Sequence, residues 1–222
     1  MGVMLCLLGM GAAQAADMPA RQQDMIALRY LDQDPGDQPY LTRILVTPDF
    51  MRMDSGEDSG DFVLLDRRQR RVINVMHGNN MAMVFAPGTL PPKPAGWKPR
   101  LDTRAAAQGT LRFSLTLKDV VCSEGIAARR AAPDAARAMA ELKSILAATQ
   151  YRMWKDTPRE MQHDCDLANQ VWEAGATLKL GLPLEEREFT GRTRRFESET
   201  REPLRPELFR VPEGLTAINA PS

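Results

Sequence analysis

The chain has 222 residues, with 29 basic and 29 acidic side chains and a net charge of zero. Zero net charge creates no global field that would attract nucleic acid or an anionic membrane, so we expect no nucleic-acid partner. Apart from a short N-terminal run, no apolar stretch approaches the roughly 20 residues that a membrane-spanning helix needs. We therefore expect no transmembrane segment.

The N-terminal run extends from Val3 to Ala12 and is followed by Ala13-Gln14-Ala15, the small-residue pattern that signal peptidase cleaves. Cys6 follows Leu5 rather than the small residue that a lipidation site requires. We therefore expect residues 1–15 to be a Sec signal peptide, residues 16–222 to form a single domain, and the protein to be periplasmic.

The mature chain would retain two cysteines, Cys122 and Cys165. In an oxidising compartment an isolated pair of cysteines indicates one disulfide. A redox-active or metal-binding pair is the less favoured alternative, because neither residue belongs to a C-x-x-C motif.

Short apolar runs separated by turn-forming residues predict an antiparallel meander between Asp24 and Phe85. Asp54 to Asp61 is a loop by composition, and its spacing does not reproduce a calcium-binding EF-hand loop. The predicted strands are Met25–Leu31, Leu41–Val46, Phe50–Met53, Phe62–Leu65, Val72–Met76 and Met81–Phe85.

Residues 87–109 are rich in proline and predict a long, partly extended loop that includes Trp97. The clearest strand follows, over Leu111 to Lys118, where apolar and polar residues alternate. This alternation predicts a sheet with one apolar face and one wet face.

Two helices are predicted next. The first begins at Pro133 and carries apolar residues at helical spacing. The second begins at Thr157-Pro158-Arg159-Glu160, because threonine can cap a helix and proline suits the first helical position. Its predicted buried stripe comprises Met161, Cys165, Ala168 and Trp172.

Beyond Gly175 the pattern returns to short strands. The candidates are Leu178–Leu184, Glu186–Phe189 and Arg192–Ser198. Leu204 to Gly214 predicts a short turn with an extended tail.

Three segments resemble the periplasmic lipoprotein carriers of the LolA/LolB-like half-barrel superfamily, in its uncharacterised branch of outer-membrane lipoprotein-sorting-like domains. They are Thr42–Asp54, the strand pair Phe62–Asp66 and Val72–Val75, and the closing Leu208–Gly214. The resemblance implies an α+β domain over residues 16–222, in which a curved antiparallel sheet, a half-barrel, carries helices on its concave side. It implies an apolar ligand, such as a lipid or a lipoprotein acyl chain, and it carries over no catalytic residue and no cofactor.

The predicted ligand-binding face combines the apolar side of the clearest strand with two methionines, because methionine adapts its shape to flexible chains. Its residues are Leu111, Phe113, Leu115, Leu117, Met81 and Met83. The arginines near residues 67–71 are interpreted either as a charged hairpin end or as contacts for lipid head groups or an acidic partner.

Two alternatives stay open. One is a protein-interaction module of the cell envelope that uses the proline-rich loop and Trp97. The other is a copper carrier, because Met51-x-Met53 and Met81-x-Met83, with His77 nearby, offer the soft ligands that Cu(I) prefers. Catalysis is not expected, since His163-Asp164-Cys165 are sequence neighbours that point in different directions on a helix.

Overall fold

The computed structural model describes residues 24–220, so the predicted signal peptide and Cys6 lie outside the described residues. Within residues 24–220 the fold is mixed α+β, with twelve strands in one sheet and two α-helices. The strands are β1 (Asp24–Gln33), β2 (Tyr40–Val46), β3 (Phe50–Asp54), β4 (Phe62–Asp66), β5 (Arg71–Met76), β6 (Met81–Phe85), β7 (Arg100–Ala105), β8 (Thr110–Leu117), β9 (Val120–Ala128), β10 (Leu182–Glu188), β11 (Thr193–Pro203) and β12 (Thr216–Asn219).

The helices lie between β9 and β10 in the chain. They are α1 (Pro133–Asp156) and α2 (Asp164–Leu167), and α2 continues into a π-helical turn over Ala168–Trp172. Short 3-10 turns occur at His77–Asn79, Ala107–Gly109, Arg159–Met161, Thr177–Leu180 and Pro206–Phe209.

The sheet order is β12-β6-β5-β4-β3-β2-β1-β11-β10-β9-β8-β7. Neighbouring strands are antiparallel except β12 and β6, which are parallel. The edge strands β12 and β7 each pair with one neighbour, so the sheet is open. Its centre is the long pair of β1 with β11, which runs from Asp24 opposite Pro203 to Gln33 opposite Thr193.

One sheet face, here called the helix face, packs against α1. Strand residues and small residues of the helix share a single buried cluster, as expected for an amphipathic helix on an antiparallel sheet. The cluster includes Leu28, Tyr30, Ile44, Val46, Met51, Leu65 and Val72 from the strands, with Ala135, Ala138, Met139 and Ile145 from α1.

The other face, here called the opposite face, is covered over β1 to β6 by the C-terminal segment. Leu208 and Phe209 pack there on a second buried cluster. Phe209 stacks on Phe50 with ring centroids 6.0 Å apart. The closing segment is therefore a structural cover for half of the sheet.

The predicted meander is confirmed by β1 to β6, the alternating strand by β8, and the helix start at Pro133 by α1. The predicted disulfide is also confirmed, because Cys122 of β9 is bonded to Cys165 of α2. It ties the short second helix to the sheet across a sequence separation of 43 residues.

The second predicted helix is wrong in its start and its extent. Thr157 ends α1, since its N–H bonds to the carbonyls of Met153 and Trp154, and the proline after it favours extended backbone at Thr157. The chain then makes a 3-10 turn, and α2 begins only after His163, whose Nδ1 accepts from the Cys165 N–H at 3.1 Å. Met161 is consequently 69% exposed rather than part of a buried stripe.

Three further differences concern strands. The segment predicted as a proline-rich loop, 87–109, contains β7. The candidate strand Leu178–Leu184 begins as a 3-10 turn, and β10 starts only at Leu182. β9 and β12 lacked a clear apolar alternation and were not predicted.

Among the described residues, no helix combines the length and the apolar character that crossing a bilayer requires.

Candidate functional site

The four predicted ligand-binding residues of β8 are covered by protein. Leu111, Phe113, Leu115 and Leu117 are each 5% exposed or less. Leu115 and Leu117 pack in a cluster with the disulfide and Ala168. Leu115 and Leu117 hold the helical turn to the sheet, and the role of all four residues in ligand binding stays a prediction.

Met81 and Met83, the other two predicted residues, lie half-buried on β6. They are nine positions away from β8 in the sheet order, so neighbouring strands do not bring the two sets together. Met51 is buried in the cluster under α1. His77 lies on the other side of the sheet, with its ring 6.0 Å from that of Phe62 and its Nδ1 3.5 Å from Asp61.

A surface cleft of about 940 Å³ opens beside α1. Its lining comes from the end of β4 and the turn between β4 and β5, from the N-terminal half of α1 and from the chain between residues 174 and 181, together with Pro48 and Arg129. Its floor is apolar and consists of Leu65, Ala136, Ala140, Ile145 and Leu178, of which Ala140 is half-buried and the other four are buried. Its basic side chains are Arg67, Arg68, Arg70, Arg129, Arg137 and Lys179, and Glu141 is the carboxylate among its lining residues. We call it the basic cleft.

Small residues shape the wall of the basic cleft. Gly175 has a φ of +78°, and a Cβ added there would lie 3.1 Å from the Ala140 Cβ. The chain after the π-helical turn therefore approaches α1 closely, because a glycine faces an alanine. A larger side chain at either position would move this wall.

Arg67 is held in place in the cleft by several hydrogen bonds. Its Nε donates to Glu141 Oε2 at 2.7 Å, its Nη1 donates to Asp134 Oδ2 at 3.0 Å, and Nη1 also reaches the Thr47 carbonyl at 3.1 Å. The hydrogen bond with Glu141 raises the pKa of Arg67, and its ion pairs outweigh the opposing effect of burial. Arg67 thus anchors α1 to the β4–β5 turn as a permanent cation.

Three other basic side chains of the cleft are free of ion pairs with the described residues. Arg70, Arg129 and Lys179 are exposed and make no ion pair with any residue between 24 and 220. Arg68 by contrast pairs with Asp49 at 2.6 Å, and Arg137 lies 3.7 Å from Asp134. The cleft therefore presents a net positive rim above an apolar floor.

A second concavity of about 1050 Å³ lies across β7 to β11 and β1. We call it the charged groove. Both signs of charge line it, including Arg104 directly opposite Arg112 and Glu185 directly opposite Arg195. Apolar side chains also line it, among them Leu31, Ile126 and the predicted ligand-binding residue Phe113, so the groove presents a mixed charged and apolar surface.

The proline-rich loop is fastened to the helical layer. The Trp97 ring meets the Trp172 ring edge-on at 4.6 Å, and its Nε1 donates to Glu173 at 3.3 Å. Lys93 also pairs with Glu173 at 2.6 Å, and Trp172 Nε1 donates to the Pro91 carbonyl. Trp97, predicted as a partner contact, is engaged within the protein.

The described residues hold no group of three or more His, Cys, Asp or Glu side chains arranged for a metal ion. Two acids of the predicted acidic loop are used internally, since Asp54 binds Arg43 and Arg52 while Asp58 binds Arg205. His163 caps α2 and Cys165 is in the disulfide, so these neighbours form no nucleophile pair.

The sequence pointed to one side of the basic cleft only. The arginines near residue 67 are close together in the chain, whereas Arg129 and Lys179 come from segments about 60 and 110 positions later. The fold brings Arg67, Arg129 and Lys179 to one cleft.

No protein-family model matches the chain, and no curated protein matches it. Among solved structures it is similar to PNGF-II in two crystal forms, in space groups P21 and C2, with TM-scores of 0.37 and 0.36 and 11% identity in both. The matches cover 89% of this chain but only 32% and 31% of the PNGF-II chains, so this protein spans about a third of their length.

Proposed function

We propose that the protein is an exported, non-catalytic carrier that binds an amphipathic anion, namely an acyl chain with an anionic head group, in the basic cleft. The observation that carries this proposal is the combination of an apolar floor with a rim on which three basic side chains make no ion pair with any described residue. The acyl chain would lie on the floor and the head group would meet Arg70, Arg129 and Lys179.

The size and chemistry of the cleft support this ligand class. A volume of about 940 Å³ falls within the roughly 300–1,000 Å³ of small-molecule pockets. Arginine guanidinium groups bind carboxylates and phosphates in a bidentate manner, and each exposed basic residue contributes roughly 1 kcal/mol towards an anionic lipid surface.

The proposal includes a half-barrel, in which the sheet curves around the helices. β6 and β7 stand ten strand steps apart in the sheet order, roughly 48 Å along a flat sheet at about 4.8 Å per step. The connecting residues 86–99 reach at most about 50 Å when fully extended. They are not extended, since Trp97 N–H closes a turn on the Pro94 carbonyl at 3.0 Å, and Gly88 lies against Ala148 of α1. A curved sheet accounts for this short connection.

The periplasmic location is part of the same proposal. The disulfide between Cys122 and Cys165 supports an oxidising compartment, because disulfides persist there and are rare in the cytosol. The N-terminal pattern that ends at Ala15 supports export to it.

The test is equilibrium dialysis against radiolabelled oleate below its aggregation concentration. The triple variant Arg70→Glu/Arg129→Glu/Lys179→Glu should lose roughly 3 kcal/mol of binding free energy, which is about a hundredfold in Kd. The matched control is Arg104→Glu/Arg112→Glu/Arg187→Glu in the charged groove, which changes the net charge equally and should bind oleate within about twofold of wild type.

Methyl oleate and butyrate separate the two parts of the interaction. Methyl oleate lacks the charge and butyrate lacks the chain, so both should bind more weakly than oleate. If wild type does not bind oleate, or if both triple variants bind it equally, the basic cleft is not a carrier site.

A further inference from the structure

Three methionines lie together on two neighbouring strands of the helix face. In the register of β5 and β6, Met76 is directly opposite Met81. Met83 lies two residues after Met81 on the same strand, so its side chain points to the same face. Val72, four residues before Met76, belongs to the cluster under α1, which identifies this face as the helix face.

The spacing of these residues suits convergence of their sulfurs. Directly opposite residues of an antiparallel pair have Cβ atoms about 4.5–5.5 Å apart, and residues i and i+2 on a strand are about 7 Å apart. Each methionine side chain has three rotatable bonds. Three thioether sulfurs can therefore meet at one point above the sheet without moving the backbone.

Met76, Met81 and Met83 do not belong to the buried core. Met25 and Met51 are each 1% exposed and belong to the two large clusters, and Met53 packs against the cluster under α1. Met76, Met81 and Met83 are half-buried and lie outside both clusters. They are thus accessible from solvent while remaining anchored on strands.

The strand residues around the three methionines carry no charge. Along β4, β5 and β6 the residues that share the helix face with them are Val63, Leu65, Val72, Asn74 and Phe85. His77 lies on the other side of the sheet beside Phe62 and Asp61. A ligand at this point meets soft thioether sulfur and no ionisable side chain from these strands.

We propose that Met76, Met81 and Met83 form a three-sulfur site for Cu(I). Thioethers are soft ligands that select Cu(I) over divalent metal ions. The ligand set differs from the pairs Met51-x-Met53 and Met81-x-Met83 with His77, because Met51 is buried and His77 is on the wrong face. This site is separate from the basic cleft and does not depend on acyl binding.

The test is a titration of Cu(I), kept reduced under anaerobic conditions, in competition with the chromophoric chelator bicinchoninate. All proteins carry Cys6→Ser, so that no free thiol contributes while Cys122 and Cys165 stay in their disulfide. Wild type in this background should bind one Cu(I). Met76→Leu, Met81→Leu and Met83→Leu should each weaken binding at least tenfold, and Met76→Leu/Met81→Leu should abolish it.

The controls are Met53→Leu on the same face, the exposed Met161→Leu, and His77→Ala, all of which should bind Cu(I) like wild type. Leucine conserves the volume of methionine, so the variants keep the fold, which far-UV circular dichroism verifies. X-ray absorption should show sulfur scatterers alone around the copper.

A pH series adds an independent readout. Thioethers do not take up protons, so the affinity should stay constant between pH 7 and pH 5, whereas imidazole or thiolate ligands lose the metal as they become protonated. The proposal is overturned if wild type removes no Cu(I) from bicinchoninate. It is also overturned if the three leucine variants bind as wild type does, or if the affinity follows a titration that His77→Ala removes.

Discussion

Arg194 and Asp32 form a two-pronged ion pair across the central strands of the sheet. The Arg194 Nε donates to Asp32 Oδ1 at 2.7 Å and its Nη2 donates to Oδ2 at 2.6 Å, while Thr42 Oγ1 donates to Oδ2 at 2.8 Å. Asp32 is only 1% exposed. Burial would raise the pKa of Asp32, but the hydrogen bonds from Arg194 and Thr42 outweigh it and hold the pKa below its ordinary value.

This pair predicts a specific loss of stability in acid. The Asp32 carboxyl has a lowered pKa in the folded state and a pKa of about 3.9 when unfolded. Its contribution to the free energy of unfolding is therefore present above about pH 4 and is lost as the pH falls through the folded value. Urea denaturation between pH 7 and pH 2.5 should show a steeper decline for wild type than for Asp32→Asn.

At pH 7, Asp32→Asn should cost about 1.5–3 kcal/mol, because a charged hydrogen-bonded partner of Arg194 is removed. The matched control is Asp102→Asn, whose partner Arg100 is 66% exposed, and it should cost less than about 1 kcal/mol. Identical pH profiles for wild type and Asp32→Asn would contradict the assignment.

Arg52 is the buried anchor of the C-terminal cover. Its side chain is 2% exposed, with Nε 2.6 Å from Asp54 Oδ2, and its Nη1 donates to the Leu208 carbonyl at 2.9 Å. The guanidinium also lies 3.9 Å from the centroid of the Phe62 ring. One cation thus links a strand, the acidic loop and the closing segment.

We expect Arg52→Ala to lower the free energy of unfolding by about 3–5 kcal/mol, as measured by urea denaturation, because it breaks a buried ion pair. Amide hydrogen exchange should accelerate first in Pro206–Phe209, where the anchored carbonyl lies. The control Arg205→Ala removes a pair with Asp58 whose partners are 44% and 42% exposed, and it should cost no more than about 1 kcal/mol. Unchanged exchange in the closing segment would refute the anchoring role.

Removal of the disulfide should loosen the attachment of α2 to the sheet. The bond between Cys122 and Cys165 closes a loop of 43 positions, for which the chain-entropy relation gives about 4 kcal/mol. A reductant should therefore lower the midpoint of urea denaturation of wild type. The variant Cys122→Ser/Cys165→Ser should have the lower midpoint from the start, and the reductant should not change it. Equal midpoints for oxidised wild type and the double variant would show that the bond does not stabilise the fold.

Gly125 of β9 is predicted to tolerate no side chain. A Cβ there would overlap the Glu185 carbonyl of β10 and lie 3.0 Å from Cζ of Phe113. Gly125→Ala should destabilise the protein by about 1–3 kcal/mol or more, since the collision involves backbone. Gly78→Ala, where a Cβ would meet nothing within 4 Å, should stay within about 0.5 kcal/mol in the same denaturation assay.

Local sequence patterns predicted the strands in which apolar residues are regularly spaced. β8 alternates strictly, and β1 to β6 are bounded by turn residues, so each was recognisable. β7 has Leu101 as its only large apolar residue and follows several prolines, and its pairing with β8 comes from register rather than from its own sequence. The second helix was misplaced because Thr157-Pro158 is compatible with either end of a helix.

The basic cleft depended on long-range pairing to a greater extent than the strands did. Arg67 gave a local signal, but its partners Asp134 and Glu141 are 67 and 74 positions away. Met81-x-Met83 was visible as a strand pattern, whereas the position of Met76 opposite Met81 depends on the register that the turn after β5 imposes.

The pairing of β1 with β11 also sets the order in which the fold can be completed. β1 to β6 pair in sequence order, so the strand ladder of this half can form before residues 193–203 are synthesised. Its inner strand, β1, then has one open edge until residues 193–203 are synthesised, and an open edge invites pairing with other chains. Delayed synthesis of residues 193–203 should therefore expose the nascent chain to misassembly at β1.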